Sequence, residues 1–166
     1  ILNTFLKAKG REIGKSLYEE DLVNEAENIL SSELSSKIIF PIDLSCESES
    51  KPKNIDVRNI SKNDIIFDIG EKSLTNIKSI INKSSAVFWN GPLGYVEKKP
   101  FDQGTIELAK TIAEHNCFSI IGGGDTLPII ENLNLQSQYS CLSTGGGSLL
   151  TYLEGGYLPI LDKLDL

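Results

Sequence analysis

The chain of 166 residues is poor in several residue types, and each scarcity excludes a class of protein. It has one histidine, His115, which excludes histidine-rich zinc sites and relays that need a second histidine. Arg11 and Arg58 are its only arginines, and the formal net charge is −7. Because nucleic acids and anionic membranes both require a basic face, we expect neither as a partner.

Long apolar segments are missing as well. No apolar run reaches the length of a membrane span, and the first residues lack the charged-then-apolar layout of a signal peptide. The three cysteines, Cys46, Cys117 and Cys141, are odd in number and lack metal-type spacing, so we interpret them as reduced thiols of the core. These features favour a cytoplasmic protein.

The remaining composition is that of a globular domain. Apolar residues make up 40% of the chain, which is enough for one core without disulfides or metals. The chain starts at Ile1 and enters a segment, residues 2–6, that looks like the middle of an element. We therefore expect residues 1–166 to form one partial domain.

Short apolar runs alternate with segments of helical period, as in parallel strands covered on both faces. This alternation predicts an α/β fold, with a doubly wound, mostly parallel sheet and helices on both faces, in a Rossmann-like three-layer αβα arrangement. The polar stretch 45–59 breaks the rhythm and is read as a solvated loop or an irregular hairpin. The predicted strands are 37–42, 64–67, 86–89, 118–121 and 139–142, and the predicted helices are 18–34, 73–82, 104–116, 126–132 and 148–154.

Two glycine triplets, residues 122–124 and 145–147, each follow a predicted strand and precede a predicted helix. Glycine lets the backbone approach a ligand closely, so that several N–H groups converge on one anion, and a helix N-terminus adds further donors. Asp43, Asp68 and Asn90 would gather on the same rim of the sheet. Two such loops at neighbouring strand ends predict a site for an extended polyphosphate.

Asp125 and Thr126 follow the first triplet. A carboxylate beside a polyphosphate is repelled unless a divalent cation bridges them, so Asp125 indicates Mg²⁺, while Thr126 offers its hydroxyl to the phosphate. The structural alternative is a tight turn with Asp125 as helix N-cap and Pro128 in the first turn. For the second triplet, the alternative is close packing of a helix on its strand.

Three further residues have both a functional and a structural interpretation. Glu97 is either an acceptor for ribose hydroxyls or an ordinary surface charge. Phe67 and Leu17 are most simply core and helix-start residues, and beside a bound nucleotide they would sandwich its base. The P-loop pattern and the dinucleotide fingerprint are both absent, so the phosphate site is of another design.

In their order along the chain, these segments resemble the C-terminal, nucleotide-binding domain of phosphoglycerate kinase. The family transfers a phosphoryl group between 1,3-bisphosphoglycerate and Mg-ADP, giving 3-phosphoglycerate and Mg-ATP in glycolysis. The resemblance covers essentially the whole chain. It rests on Thr4-Phe5-Leu6, Asp68-Ile69-Gly70, Trp89-Asn90-Gly91-Pro92, residues 122–126 and 143–147, and Leu158-Pro159.

The resemblance implies a role for each candidate residue. ADP or ATP and Mg²⁺ are the implied ligands, and the glycine amides steady the transferring group. By this match, Asp125 binds magnesium through the nucleotide; Gly123, Gly124, Thr126 and Asn90 bind its phosphates; Glu97 binds ribose; Leu17 and Phe67 line the adenine pocket; and Gly124, Gly145 and Gly146 act on the phosphoryl group in transit.

The chain also departs from the family pattern. Phe67 replaces a smaller aliphatic residue, Glu71 replaces a proline, and residues 148–151 differ from the usual Ala-Ser-Leu-Glu. The N-terminal domain for phosphoglycerate and the first strand-helix units with their lysines are missing, so we expect the chain alone to be inactive. The resemblance also implies that the full-length enzyme is a monomer. The alternatives are a stand-alone Mg-nucleotide or anion-binding module and a structural remnant whose glycines serve packing alone.

Overall fold

The computed structural model describes residues 1–115 and 117–157, so the predicted motif Leu158-Pro159 lies outside the described residues. The chain divides into two compact units, each assembled from two segments. The first unit consists of residues 1–77 and 93–104. The second consists of residues 78–92 and the described residues from 105 onward. Each unit contains one three-stranded sheet.

The fold is αβα, as the sequence predicts. Within the described ranges, no helix is long and apolar enough to cross a membrane. The helices are α1 (Leu2–Ala8), α2 (Val23–Ser31), α3 (Glu71–Ile81), α4 (Gln103–Glu114), α5 (Leu127–Asn132) and α6 (Gly146–Leu153). The strands are β1 (Asp43–Ser48), β2 (Lys51–Asp56), β3 (Ile65–Ile69), β4 (Ala86–Asn90), β5 (Phe118–Gly122) and β6 (Cys141–Ser143).

The second unit contains the parallel sheet, in the order β4-β5-β6. The predicted strands at 86–89, 118–121 and 139–142 are confirmed to within two residues at each end. Ile112 of α4, Ile121 of β5 and Ile130 of α5 are fully buried and form its core. Because all strands run the same way, their carboxyl ends lie at one edge of this sheet.

The first unit differs from the prediction because its sheet is antiparallel, in the order β2-β1-β3. The predicted strand at 37–42 is wrong: the strand begins at Asp43, which therefore opens β1 instead of ending a strand. In β1 the apolar residues alternate with polar ones, and Leu44 and Cys46 are fully buried. This period of two is the signature of a strand with one buried face, and it is weaker than a continuous apolar run.

The stretch 45–59 is a hairpin, which confirms the second of its two interpretations. Glu49 and Ser50 connect β1 to β2 with φ values of 52° and 62°. Two consecutive positive φ values are what a tight two-residue hairpin turn requires. The turn thus adopts this conformation without glycine or asparagine, the residues from which a sequence pattern would predict it.

The cysteines do not all belong to the core. Cys46 is buried between the strands of the first unit, where burial raises the pKa of its thiol to about 12. Cys117 is half-buried and Cys141 is exposed. The interpretation of Cys141 as a core thiol is wrong because β6 is a three-residue strand at the end of its sheet.

Two buried carboxylates of the first unit accept hydrogen bonds from the first turns of helices. Asp43 accepts from the Ser73 amide at 2.8 Å and the Lys72 amide at 3.1 Å, at the start of α3. Asp68 accepts from the Gly104 amide at 2.8 Å, at the start of α4. Burial raises the pKa of Asp68 to about 6, although the amide hydrogen bonds act in the opposite direction.

This raised pKa predicts a pH-dependent stability. The unfolded carboxyl titrates near pH 3.9, so between about pH 4 and 6 the folded state holds the proton more tightly. The Asp68 contribution to the free energy of unfolding is therefore lost as pH rises through 6. Urea unfolding followed by circular dichroism at pH 4 and 7 measures the free energy of unfolding of the wild type and of Asp68→Asn. The wild-type value minus the variant value should be smaller at pH 7 than at pH 4. Asp21→Asn, at an exposed position, is the control. A pH-independent Asp68 difference contradicts the prediction.

Candidate functional site

Three residues form a row across the carboxyl edge of the parallel sheet. In the strand register, Asn90 of β4 lies opposite Gly122 of β5, and Gly122 lies opposite Ser143 of β6. The Gly91 amide continues the ladder by donating to the Gly122 carbonyl at 3.2 Å. The indole of Trp89 donates to the Gly91 carbonyl at 2.6 Å and so holds the turn that follows β4.

The two glycine loops meet at this edge. A Cβ on Gly123, whose φ is +103°, would lie 2.8 Å from the Gly91 amide nitrogen. A Cβ on Gly146 would lie 2.9 Å from the Gly123 nitrogen and 3.0 Å from Asn90 Oδ1. Because real side chains do not approach so closely, the loops fit together only as glycine. The expected convergence of residues 122–126 and 145–147 is therefore present in the second unit.

Two buried polar atoms at this junction lack hydrogen-bond partners among the described residues. They are Asn90 Oδ1 and Thr126 Oγ1, and Thr126 is fully buried. A Cβ on Gly122 would lie 2.7 Å from the Asn90 oxygen, and one on Gly123 would lie 3.1 Å from the Thr126 oxygen. Leaving such an atom unpaired costs roughly 1–3 kcal/mol, so both atoms require an explanation outside the packing.

Asp125 does not act as a helix cap. Helix α5 begins at Leu127 with Thr126 as its N-cap, without a side-chain cap bond, and the alternative that assigned the cap to Asp125 is wrong. Pro128 does lie in the first turn, as predicted. Both Gly124 and Asp125 are exposed, so the Asp125 carboxylate remains open to a ligand.

The donor set fits a magnesium ion only if the ion arrives with a polyphosphate. Mg²⁺ is usually held by one or two carboxylates together with substrate phosphates and water. Asp125 supplies one carboxylate, and across the described ranges no three acidic, histidine or cysteine side chains cluster around a possible metal position. Asp125 therefore fits a nucleotide-borne metal better than a dedicated protein cage.

In the second loop, close packing requires one glycine of the three. Gly146 packs against the first loop, whereas a Cβ on Gly147 would meet nothing within 4 Å and one on Gly145 would meet only the Ser148 Cβ at 3.8 Å. Gly145 is the N-cap of α6 and makes no side-chain cap bond. The first amides of this eight-residue helix thus receive no capping hydrogen bond from an N-cap side chain.

The other predicted contacts, Leu17, Phe67 and Glu97, belong to the first unit. Leu17 is 91% exposed and precedes the helices it was expected to start, so its structural interpretation is wrong. Glu97 is also exposed. Phe67 is half-buried in β3, so it packs within the first unit but is not one of the buried core residues that its structural interpretation expects.

The ring of Phe67 lies in a cluster that the sequence analysis missed. It stacks on Tyr95 with 5.4 Å between ring centroids, and Phe101 packs at 4.9 Å. Lys98 Nζ lies 4.6 Å from the Phe67 centroid and forms an ion pair with Glu47 at 2.6 Å. These partners lie far from Phe67 in sequence and follow no helical or strand period, so no sequence signal links them.

The parallel strands, their row of edge residues and the convergent glycine loops define a doubly wound αβα protein with two glycine loops packed together at its strand ends. The chain belongs to the phosphoglycerate kinase family, because the model of that family matches residues 1–156. The resemblance to this family that the sequence motifs indicate is thereby confirmed.

Relatives of known name agree with this assignment. A phosphoglycerate kinase of Francisella philomiragia is 41% identical over 170 residues, and one of Legionella pneumophila is 44% identical over 165. The alignments cover 99% and 96% of this chain but only 43% and 42% of those proteins. This chain therefore spans less than half the length of the curated relatives it matches.

Solved structures of the family share the fold. Phosphoglycerate kinase from Coxiella burnetii superposes with a TM-score of 0.87 at 35% identity, covering 93% of this chain and 42% of that one. Phosphoglycerate kinase from Pyrococcus horikoshii superposes with a TM-score of 0.84 at 30% identity, and the superposition covers 99% of this chain and 43% of that one.

The close approach of the loops predicts unequal effects of alanine at adjacent glycines. Gly123→Ala combines a positive φ with a clash against the Gly91 amide, so it should lower the free energy of unfolding by about 1–3 kcal/mol. Gly124→Ala has no atom within 4 Å of the new Cβ and should change it by less than about 0.5 kcal/mol. Urea denaturation compares the two variants. Equal losses would show that the glycine junction does not depend on this contact.

Proposed function

We propose that this chain is the nucleotide-binding part of a phosphoglycerate kinase, which moves a phosphoryl group between 1,3-bisphosphoglycerate and Mg-ADP to give 3-phosphoglycerate and Mg-ATP. The observation that carries the proposal is the junction of two glycine loops at the carboxyl edge of the parallel sheet. Ligands of doubly wound proteins bind outside this edge.

The backbone of the two loops is suited to a polyphosphate. A Cβ on Gly124 or Gly147 would meet no atom of the described residues within 4 Å, so the backbone at both positions is uncrowded on that side. The first amides of α6 add donors and the positive end of a helix dipole. Phosphoryl transfer needs positioned donors around spreading negative charge more than it needs covalent chemistry, and amides of Gly124, Gly145 and Gly146 would supply them.

Asp125 is the proposed protein ligand of the magnesium ion. Mg²⁺ bound with the nucleotide supplies charge neutralisation on the phosphates. The exposed carboxylate of Asp125 would orient that ion, and the buried Asn90 and Thr126 oxygens at the same junction lack partners among the described residues. The adenine and ribose roles of Leu17, Phe67 and Glu97 remain predictions from the family resemblance.

Packing alone explains only part of the glycine pattern. It accounts for Gly122, Gly123 and Gly146, whose Cβ atoms would collide with neighbours. It does not account for Gly124 or Gly147, where a Cβ would meet no atom of the described residues within 4 Å, or for the two buried oxygens that lack partners among those residues. This difference favours a ligand site over a structural remnant.

Magnesium-dependent nucleotide binding tests the site. Calorimetry of ADP binding to the 166-residue chain, with and without Mg²⁺, should give tighter binding with the metal. Asp125→Asn should weaken Mg-ADP binding about tenfold, because one charged ligand of the ion is lost, and should not weaken the binding of metal-free ADP, because the repulsion between the carboxylate and the phosphates is removed. Glu131→Gln changes an exposed carboxylate on α5 and serves as the control. Equal Mg-ADP affinities for the two variants would refute the role of Asp125.

Turnover by the chain alone is expected to be absent. The two glycine loops contain no lysine or arginine, and an in-line transfer needs cations and a bound acceptor as well as amides. A coupled assay with 1,3-bisphosphoglycerate and Mg-ADP should show no rate above background. A rate that scales with chain concentration and disappears in Asp125→Asn would overturn this expectation and show that the described site is catalytically sufficient.

A further inference from the structure

Both arginines of the chain line the same cavity. Arg11 and Arg58 are its only arginines, and they border a cavity of about 510 Å³ in the first unit together with Lys72 of α3. This volume is within the usual range for sites that bind small molecules. The chain has a formal net charge of −7, yet three of its cationic side chains line this one cavity.

The carboxylates of the cavity already have partners. Asp56 accepts from Arg58 Nε at 2.9 Å and Nη2 at 2.8 Å. The Asp43 oxygens accept from the Lys72 amide, the Ser73 amide and the Ser73 hydroxyl at the start of α3. Hydrogen bonds from Arg58 hold the pKa of Asp56 well below its usual range. Both carboxylates therefore already accept hydrogen bonds from protein donors.

Cationic donors remain after these pairings. Arg58 uses two of its five N–H donors on the Asp56 side chain. Within the described residues, neither Arg11 nor the ammonium of Lys72 is within 4.0 Å of a carboxylate oxygen. The Asn54 amide, on the same face of β2 as Asp56 by the two-residue period, adds a neutral donor at the cavity wall.

We propose that this cavity binds a small phosphate-bearing anion, with Arg11 and Lys72 as its charge partners. A guanidinium offers paired N–H donors that match phosphate oxygens, and an ammonium supplies a compact second charge. Arg58, held by Asp56, presents its remaining donors to the same ligand, and the Asn54 amide completes the polar contacts. The site lies wholly in the first unit and does not depend on the proposed nucleotide site.

The test is a titration of the isotope-labelled 166-residue chain with inorganic phosphate at constant ionic strength, followed by amide NMR shifts. Saturable shifts should appear at the cavity amides, Asn54, Arg58 and Lys72. Arg11→Gln and Lys72→Gln should each weaken this affinity roughly tenfold, since each removes one charge-assisted contact. Lys62→Gln, at an exposed lysine of the same unit that does not border the cavity, should leave it unchanged.

The readout separates this site from the glycine loops. Shifts confined to residues 122–126 and 145–147 would mean that phosphate binds only there, and would overturn the proposal. Equal affinities for Arg11→Gln and Lys62→Gln would overturn it as well. Both positions are exposed, and the unperturbed amide spectrum of each variant verifies that it is folded.

Discussion

The site depends on one close contact, the packing of the Gly146 backbone against Gly123 and the side chain of Asn90. This contact exists because three parallel strands bring Asn90, Gly122 and Ser143 into one row, so that the loops after β4, β5 and β6 begin side by side. A Cβ on Gly146 would lie 2.9 Å from the Gly123 nitrogen and would force the two loops apart. Among the described residues, the Asn90 and Thr126 oxygens at this junction are buried without hydrogen-bond partners, which costs stability.

The two units use polar groups in different ways. In the first, the buried carboxylates of Asp43 and Asp68 bind amides at the starts of α3 and α4, so charge fixes helices to a sheet. In the second, the N-caps of α5 and α6 make no side-chain cap bond within the described part of the chain, and at α6 the N-cap is itself a glycine. A helix start that already holds a carboxylate serves structure, whereas one without a protein acceptor is suited to an anionic ligand.

The sequence predicted the elements of the second unit well because a buried parallel strand is a continuous apolar run and its helices have a clear 3.6-residue period. The same rule failed at 37–42, where an apolar run forms no strand. It also missed β1, because the alternation of Leu44 and Cys46 with polar residues is a weaker pattern than a continuous apolar run. The hairpin turn at Glu49 and Ser50 lacks glycine, so local turn chemistry did not reveal it. The partners of Phe67 come from sequence-distant residues that no local pattern connects.

The sequence by itself determined the fold class and the two glycine loops, because strand periodicity and glycine spacing are local properties of the chain, and its ordered motifs gave the resemblance to the phosphoglycerate kinase family that the family model confirms. Only the tertiary structure decided which glycine of each loop is required by packing, that Asp125 is exposed instead of capping a helix, and that the two arginines share a cavity. These facts depend on distances between residues far apart in the chain, and such distances are fixed only when strands and helices pack.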